Sequence, residues 1–325
     1  MYGYEIFHDN LMKSLISSVH GGAAANAYIF EGEKGLGKLS AAKLFAAALT
    51  CENAGISPCG SCPSCVEAAA GTNPDIIMFK KPADKQTIGV EPIRTLTEDV
   101  IIKPFSSEKK VYIIEDGDLL TPAAQNALLK TLEEPPEYAV FIIISTNQSA
   151  LLQTVLSRSV LVHFPPVSEN AVRVYLEEKY PEAENKDFIV KYCEGVPGRV
   201  DGIMADEEFY SLRNSALDYL PKLMTKSKVR AFDIKKYVEE NKDDAEKIFD
   251  FWISYLRDIL VMQTGTHGRT INSDKTPELS SLARKLNPKV TVSAIELIFK
   301  AKEMLRRYVS TKAVSLYLAL KINSG

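Results

Sequence analysis

Four short, nearly continuous apolar runs, at 27–30, 75–79, 111–114 and 140–145, constrain the first half of the chain most strongly. A strand with one wet face alternates apolar and polar residues. Runs that do not alternate are expected where both faces are covered, as in a parallel sheet clad by helices. The stretches between them have helical spacing. Thr121-Pro122 reads as an N-cap followed by a first helical residue; Ala124, Ala127, Leu128 and Leu132 then share one face, and Pro135-Pro136 stops the pattern. An α/β fold with a doubly wound parallel sheet is predicted.

After the first run come a glycine-rich loop, Gly32-Glu33-Lys34-Gly35-Leu36-Gly37-Lys38, and then four cysteines, Cys51, Cys59, Cys62 and Cys65. A C-x2-C-x2-C run with a fourth cysteine eight residues upstream supplies four thiolates within reach of one tetrahedral ion, and Pro58, Gly60 and Pro63 mark turns that let the backbone fold around it. A structural zinc site is expected. Four protein ligands leave no open position, so such an ion folds a module and catalyses nothing. A disulfide pair and an iron–sulfur cluster are the alternatives. Disulfides are disfavoured because no signal-peptide pattern opens the chain and no other cysteine pairing exists; Cys193 stands alone and reads as a small core hydrophobe.

In a working phosphate loop, glycines let backbone N–H groups close around phosphate oxygens, a lysine reaches the terminal phosphates, and the next residue's hydroxyl holds magnesium. Gly32, Gly35, Gly37 and Lys38 are in place, but Leu39 occupies the hydroxyl position. Ser40 is no substitute, since one further helical residue turns a side chain about 100° away. The third run ends in Glu115-Asp116, where an active ATPase shows aspartate then glutamate; the swap moves each carboxylate by about one methylene, which matters for placing a metal or a water. A decayed ATP site and a working one both remain open, with metal-dependent hydrolysis expected to be crippled and binding of ATP or ADP doubtful.

Beyond residue 168 the character changes. Net charge is −5 over residues 1–168, −6 over 169–208 and +8 over 209–325, which supports a core over 1–167, a small helical segment over 168–208 and an all-helical domain over 209–325. The middle segment is expected to hold a helix built on Val172, Val174, Tyr175 and Leu176, followed by a Gly-Val-Pro-Gly-Arg turn at 195–199. Further on, Phe249, Trp252, Tyr255, Leu256, Ile259 and Leu260 form one helical stripe, and Ile295, Ile298, Phe299, Leu305 and Val309 another. Such stripes are core or subunit interface. The basic last third reads as a solvated helical face, or as one turned to nucleic acid or an acidic partner. No apolar run approaches the roughly 20 residues that span a bilayer, so a cytoplasmic protein is expected.

Several segments together resemble the bacterial clamp-loader ATPase family of DNA polymerase III: Gly32 to Lys38 with Glu31 before it, the cysteine module, Lys110 to Asp116, Ser157-Arg158 and, most specifically, Asn126-Ala127-Leu128-Leu129-Lys130-Thr131-Leu132-Glu133-Glu134-Pro135-Pro136. The match covers roughly residues 1 to 200 and implies an AAA+ core with an inserted zinc module, a helical lid over 168–208 and a helical collar over 209–325. Leu39 and the inverted acidic pair favour the family's non-hydrolysing stator over its tau/gamma motor subunits, the alternative being an active motor ATPase. The resemblance also assigns roles. Arg158 stands where the family places an arginine finger, presented in trans to ATP held by a neighbour; a surface arginine in an ordinary salt bridge is the alternative. Arg199 resembles the lid's nucleotide-sensing arginine. Thr146 and Asn147 sit at the polar sensor position, where polar groups ending a buried strand are also common as simple caps. Implied partners are the tau/gamma motor subunits, a delta subunit, primer-template DNA and the sliding clamp. Arg94 and lysines 80, 81 and 85 are candidates for DNA phosphate, or simply a solvated face.

Overall fold

The computed structural model describes residues 7–53, 58–223, 228–265 and 270–324; residues 54–57, inside the cysteine module, lie outside the described residues. The chain divides into two compact units, one of Met1–Ala171 with Val196–Gly198 and one of Val172–Gly195 with Arg199–Gly325.

The first unit runs α1 (Asp9–His20), β1 (Ala27–Glu31), α2 (Lys38–Leu49), α3 (Pro63–Ala70), β2 (Ile76–Phe79), α4 (Val90–Asp99), β3 (Lys110–Ile114), α5 (Pro122–Glu133), β4 (Ala139–Ser145), α6 (Gln153–Leu156) and β5 (Val160–His163). The strands form one sheet in the order β2-β3-β4-β1-β5 with every pairing parallel, so that Ile29 of β1 lies opposite Ile143 of β4 and Leu161 of β5. The absence of alternation in the apolar runs has its reason here. Tyr28, Phe30, Val111, Ile113, Val140 and Ile142 point to one face and pack with Met12, Leu15, Ala42, Phe45 and Leu49 of α1 and α2. Ile29, Tyr112, Ile114, Phe141 and Ile143 point to the other and pack with Ile93, Leu96, Leu128 and Leu132 of α4 and α5. Each such fully buried side chain contributes roughly 1.5–3 kcal/mol.

Thr121 caps α5 as its sequence predicts, its hydroxyl accepting from Ala124 N at 3.2 Å. The fifth strand was not legible. It lies at the sheet edge, where Val160 and Leu161 are exposed and only Val162 is buried, so it lacks the signature of a strand covered on both faces.

The second unit is all helix. It comprises α7 (Glu169–Lys179), α8 (Lys186–Tyr192), α9 (Gly198–Ala205), α10 (Phe209–Leu223), α11 (Lys228–Glu240), α12 (Ala245–Gln263), α13 (Thr276–Lys285), α14 (Pro288–Arg306) and α15 (Thr311–Ser324). Val172, Tyr175 and Leu176 bury as expected, whereas Val174 is exposed, and α8 intervenes before the 195–199 turn. The first stripe is the buried face of α12, with only Leu260 half exposed. Of the second, only Ile298 is buried, Phe299 is 54% exposed, and Val309 lies past the end of α14, so most of it is not core and the interface alternative stays open. Adjacent helical residues diverge by about 100°, and on α14 the neighbours cover the Ile298 side while leaving Phe299 to solvent. A buried polar cluster joins α10 to the segment before α13. Arg213 donates to Asp274 (2.8 Å) and Asn272 (2.7 Å) and lies 3.8 Å from the Phe188 ring centroid. The fully buried Asp258 accepts from the amides of Ile271 (2.9 Å) and Asn272 (2.6 Å). Among the described residues, no helix is long and apolar enough to cross a membrane.

Candidate nucleotide loop, arginine tip and metal centre

The glycine loop joins β1 to α2, the place where a parallel sheet offers a helix N-terminus to an anion. Gly35 and Gly37 take φ of 96° and 79°, left-handed values that L side chains rarely adopt. The loop is closed in on itself. Lys38, only 5% exposed, turns its Nζ back to donate to Gly32 O (2.5 Å) and Glu33 O (2.7 Å). Burial lowers its pKa, and the negative charges of Asp118, Glu31 and Glu33 pull the other way. Leu39 packs against the core cluster that α1 and α2 share.

The tripeptide Val196–Gly198 sits directly on this loop. Gly198 N donates to Gly35 O at 2.9 Å, and Val196 is part of the same core cluster. A Cβ at Gly198 would lie 2.6 Å from Gly35 Cα, so only two glycines allow these backbones to touch. On the loop's other side the His8 ring reaches Leu36 O at 3.2 Å and stands edge-on to Phe164. The carbonyl can only accept, so His8 Nε2 carries the proton. Burial lowers the His8 pKa and outweighs that bond.

At the end of β3, Glu115 Oε1 lies 3.2 Å from Lys80 Nζ without hydrogen-bond geometry, and Asp116 is exposed with φ of 53°. Asp118 accepts from Thr146 N (3.1 Å) and Oγ1 (3.0 Å). Asn147 instead caps the turn that follows, its Oδ1 accepting from Ser149 N at 3.0 Å. Lys80 and Asp118 were not assigned to this site from sequence. The third acid of Glu115-Asp116-Gly117-Asp118 was the available signal for Asp118; Lys80 is brought in by the pairing of β2 with β3. Of the other cations considered for DNA, Arg94 pairs with Glu91 at 2.8 Å and Lys81 donates to Lys85 O at 2.6 Å.

Arg158 follows the four-residue α6 and is half exposed. Its guanidinium lies 2.7 Å from Glu133 Oε1 and donates to Thr154 O (3.0 Å) and Ser157 Oγ (3.3 Å). Arg199, in the second unit, is 3.2 Å from Glu194 Oε2. The structure therefore brings the glycines, Lys38 and the Glu115–Asp118 loop to one end of the sheet, while Arg158 is held by α5.

The four cysteine sulfurs of Cys51, Cys59, Cys62 and Cys65 all lie within 4.8 Å of one another, with Cys51–Cys62 at 4.0 Å and Cys59–Cys65 at 3.9 Å. Tetrahedral zinc with bonds of about 2.3 Å would set sulfurs about 3.8 Å apart. A disulfide would need about 2.05 Å. Backbone amides point at the sulfurs, among them Cys62 N to Cys59 Sγ and Cys65 N to Cys62 Sγ, each at 3.4 Å. Amides of Ser61 and Cys62 pull the Cys59 thiol down to about 5, whereas burial pushes Cys51 up to about 12. A cation at the centre would favour the thiolate at all four positions. The arrangement suits a metal ion. Cys193 is fully buried, and burial pushes its thiol up to about 12, as befits an inert core residue.

A five-stranded parallel sheet in this order, with a glycine loop after β1 and a helical second unit, is the AAA+ type of fold. Two family models match the chain, "DNA polymerase III, delta subunit" over residues 7–168 and "DNA polymerase III, delta subunit, C terminal" over residues 207–312. It is 28% identical to DNA polymerase III subunit delta' of Bacillus subtilis across 97% of this chain and 96% of that protein. It is also 28% identical to the tau subunit of the same organism across 92% of this chain, but spans 57% of that protein. Among solved structures, a DNA polymerase III gamma subunit-related protein from Thermotoga maritima aligns over 90% of the chain at 19% identity with a TM-score of 0.43. The chain belongs to the DNA polymerase III clamp-loader family of subunits.

Proposed function

We propose that the chain is a delta'-type, non-hydrolysing subunit of the clamp loader, supplying Arg158 in trans to ATP bound by a neighbouring motor subunit. The observation that carries this reading is the state of the glycine loop. Lys38 is spent on two carbonyls of its own loop, Leu39 offers no magnesium ligand, and Gly198 lies hydrogen-bonded across Gly35. Phosphoryl transfer depends on positioning and on neutralising charge; the Lys38 ammonium is turned to its own loop, and no hydroxyl stands where magnesium would be held. The similarity to delta' along its whole length supports the same reading.

In this proposal the four cysteines hold zinc as a structural ion. The segment over 168–208 is the lid, and the domain over 209–325 is the collar through which subunits assemble. Exposed apolar side chains on α14 and α15, namely Val290, Val292, Phe299, Leu316 and Leu320, support that last assignment. The tau/gamma and delta subunits, primer-template DNA and the sliding clamp are the proposed partners, in the cytoplasm.

The test is reconstitution of the complex with wild-type and Arg158→Ala chains. Trans-acting arginines are worth roughly 10³ to 10⁵ in rate, so the one ATP site facing Arg158 should fall nearly silent while assembly by gel filtration is retained. Undiminished clamp loading by Arg158→Ala would sink the proposal. The second reading, a motor ATPase, is favoured by the similarity to tau; it requires steady-state hydrolysis by the purified chain that Lys38→Ala abolishes.

A further inference from the structure

We propose that Glu133 is a positioning residue that aims the Arg158 guanidinium at the neighbouring subunit, an inference that rests on the trans-acting role proposed above. Glu133 is the last residue of α5, and its Oε1 lies 2.7 Å from Arg158 Nη2. Arg158 Nη1 donates to Thr154 O at 3.0 Å and to Ser157 Oγ at 3.3 Å. A guanidinium has five N–H donors, so these contacts leave donors free for a phosphate oxygen.

Two observations argue that Glu133 is there for Arg158 rather than for its helix. A carboxylate in the last turn of a helix faces the negative end of the backbone dipole, so helix stability alone disfavours glutamate at this position. The pair is also substantially exposed, 35% at Arg158 and 48% at Glu133, and pairs of that kind contribute little to folding. What the pair does supply is direction. A long side chain with many rotamers is restricted to one setting before any phosphate arrives, which is how a positioned cation becomes effective.

The support beneath the pair is stiff. Pro135 and Pro136 follow one residue beyond α5, each with its φ restricted by its ring. Gln125, on the same helix and buried, donates Nε2 to Leu120 O (3.1 Å) and Ala150 O (3.0 Å) and accepts from Leu152 N at 2.7 Å. Leu152 is the residue from which α6 starts. One helix therefore sets the backbone that leads to Arg158 and, through Glu133, the tip of its side chain.

The experiment reconstitutes the complete clamp loader with wild-type, Glu133→Ala, Glu133→Asp, Arg158→Ala or Glu133→Ala/Arg158→Ala chains and measures DNA- and clamp-stimulated ATP turnover. Misaiming a reacting group costs up to about 100-fold, so Glu133→Ala should lower turnover at the one ATP site that faces Arg158 about 10- to 100-fold with the KM of that site nearly unchanged, and Glu133→Asp should recover part of the loss. The double variant should equal Arg158→Ala, because an aim without a finger has no further effect. Thermal melting of each chain checks that folding is intact. Full turnover by Glu133→Ala beside a silent Arg158→Ala would overturn the positioning role alone. Full turnover by Arg158→Ala would overturn the finger reading and this inference with it. Losses that multiply in the double variant, or a rise in turnover for Glu133→Ala, would also overturn it.

Discussion

At the N-terminus of α2, Lys38, His8 and Gly198 have each found a partner within the chain, in the carbonyls of Gly32 and Glu33, of Leu36 and of Gly35. At the C-terminus of the same helix, Cys51 and three further cysteines converge on one another, with sulfurs at 3.9 and 4.0 Å and only weak amide donors around them. The glycine loop has the sequence of a ligand site, but its lysine and several of its carbonyls are already paired within the chain. The cysteine cluster has both the sequence and the structure of a metal site, where four sulfurs as thiolates would repel one another without a cation. Whether a motif still works is therefore a question about where its polar groups now spend their bonds.

The largest effect that can break this contrast is removal of the metal. Structural zinc in small modules contributes on the order of 10 kcal/mol near neutral pH, delivered as local folding. Purified chain should carry about one zinc, and chelation should loosen 51–65 as seen by amide hydrogen exchange while the sheet amides of β1 and β4 stay protected. Cys65→Ser, at a fully buried ligand, should reproduce the effect without chelator. Metal-free protein with unchanged protection over 51–65 would mean that the cysteine end is as self-sufficient as the glycine end.

The middle effect lies at Lys38. In a working loop this lysine serves phosphate, so its removal abolishes turnover and leaves stability nearly untouched. Here it satisfies two carbonyls, one of them buried, and stripping a buried acceptor of its donor costs about 1–3 kcal/mol. Lys38→Ala should lower the melting temperature by several degrees while ATP turnover of the reconstituted complex is unchanged. Millimolar Mg-ATP should not raise the melting temperature of the wild-type chain, as any ligand preferring the folded state would. Lost turnover with an unshifted melting temperature would place the loop back among working sites.

What could be read from sequence follows from how local each signal is. β1, β3 and β4 are buried on both faces by their own composition, α5 carries its cap and its stop within its own residues, and the four cysteines converge as their spacing predicts. The edge strand Val160–His163 was not legible because it is half exposed, and α8 because it is short and follows a charged stretch. Phe299 is exposed beside the buried Ile298, a difference set by what packs on α14 and invisible in apolar identity alone. The unread part of the candidate sites consists of long-range pairs. Lys80 with Glu115, Asp118 with Thr146 and Glu133 with Arg158 join residues from different elements, and no periodicity within one segment announces such a meeting. The closure of the loop by Gly198 is of the same kind, visible only once two distant glycines are found in contact.

The smallest effect is a pH slope. His8 is held neutral against Leu36 O, its pKa lowered by burial below the ordinary value of 6.5. The unfolded chain takes up a proton near that ordinary value, whereas the folded chain resists it until lower pH. In the window between the two the unfolded state binds more protons, so stability rises with pH: His8's contribution is intact above about pH 6.5 and is lost progressively below it. Acid also weakens the cysteine end, because protons compete with the metal for thiolates, so the wild-type slope alone does not isolate His8. The difference between two chains does. His8→Gln keeps an N–H donor for Leu36 O and cannot titrate, and its melting temperature should fall less than that of wild type between about pH 7.5 and 5.5. Equal slopes would mean that His8 charges in the folded state at no cost, and that this side of the glycine loop is more open to water than its hydrogen bond implies.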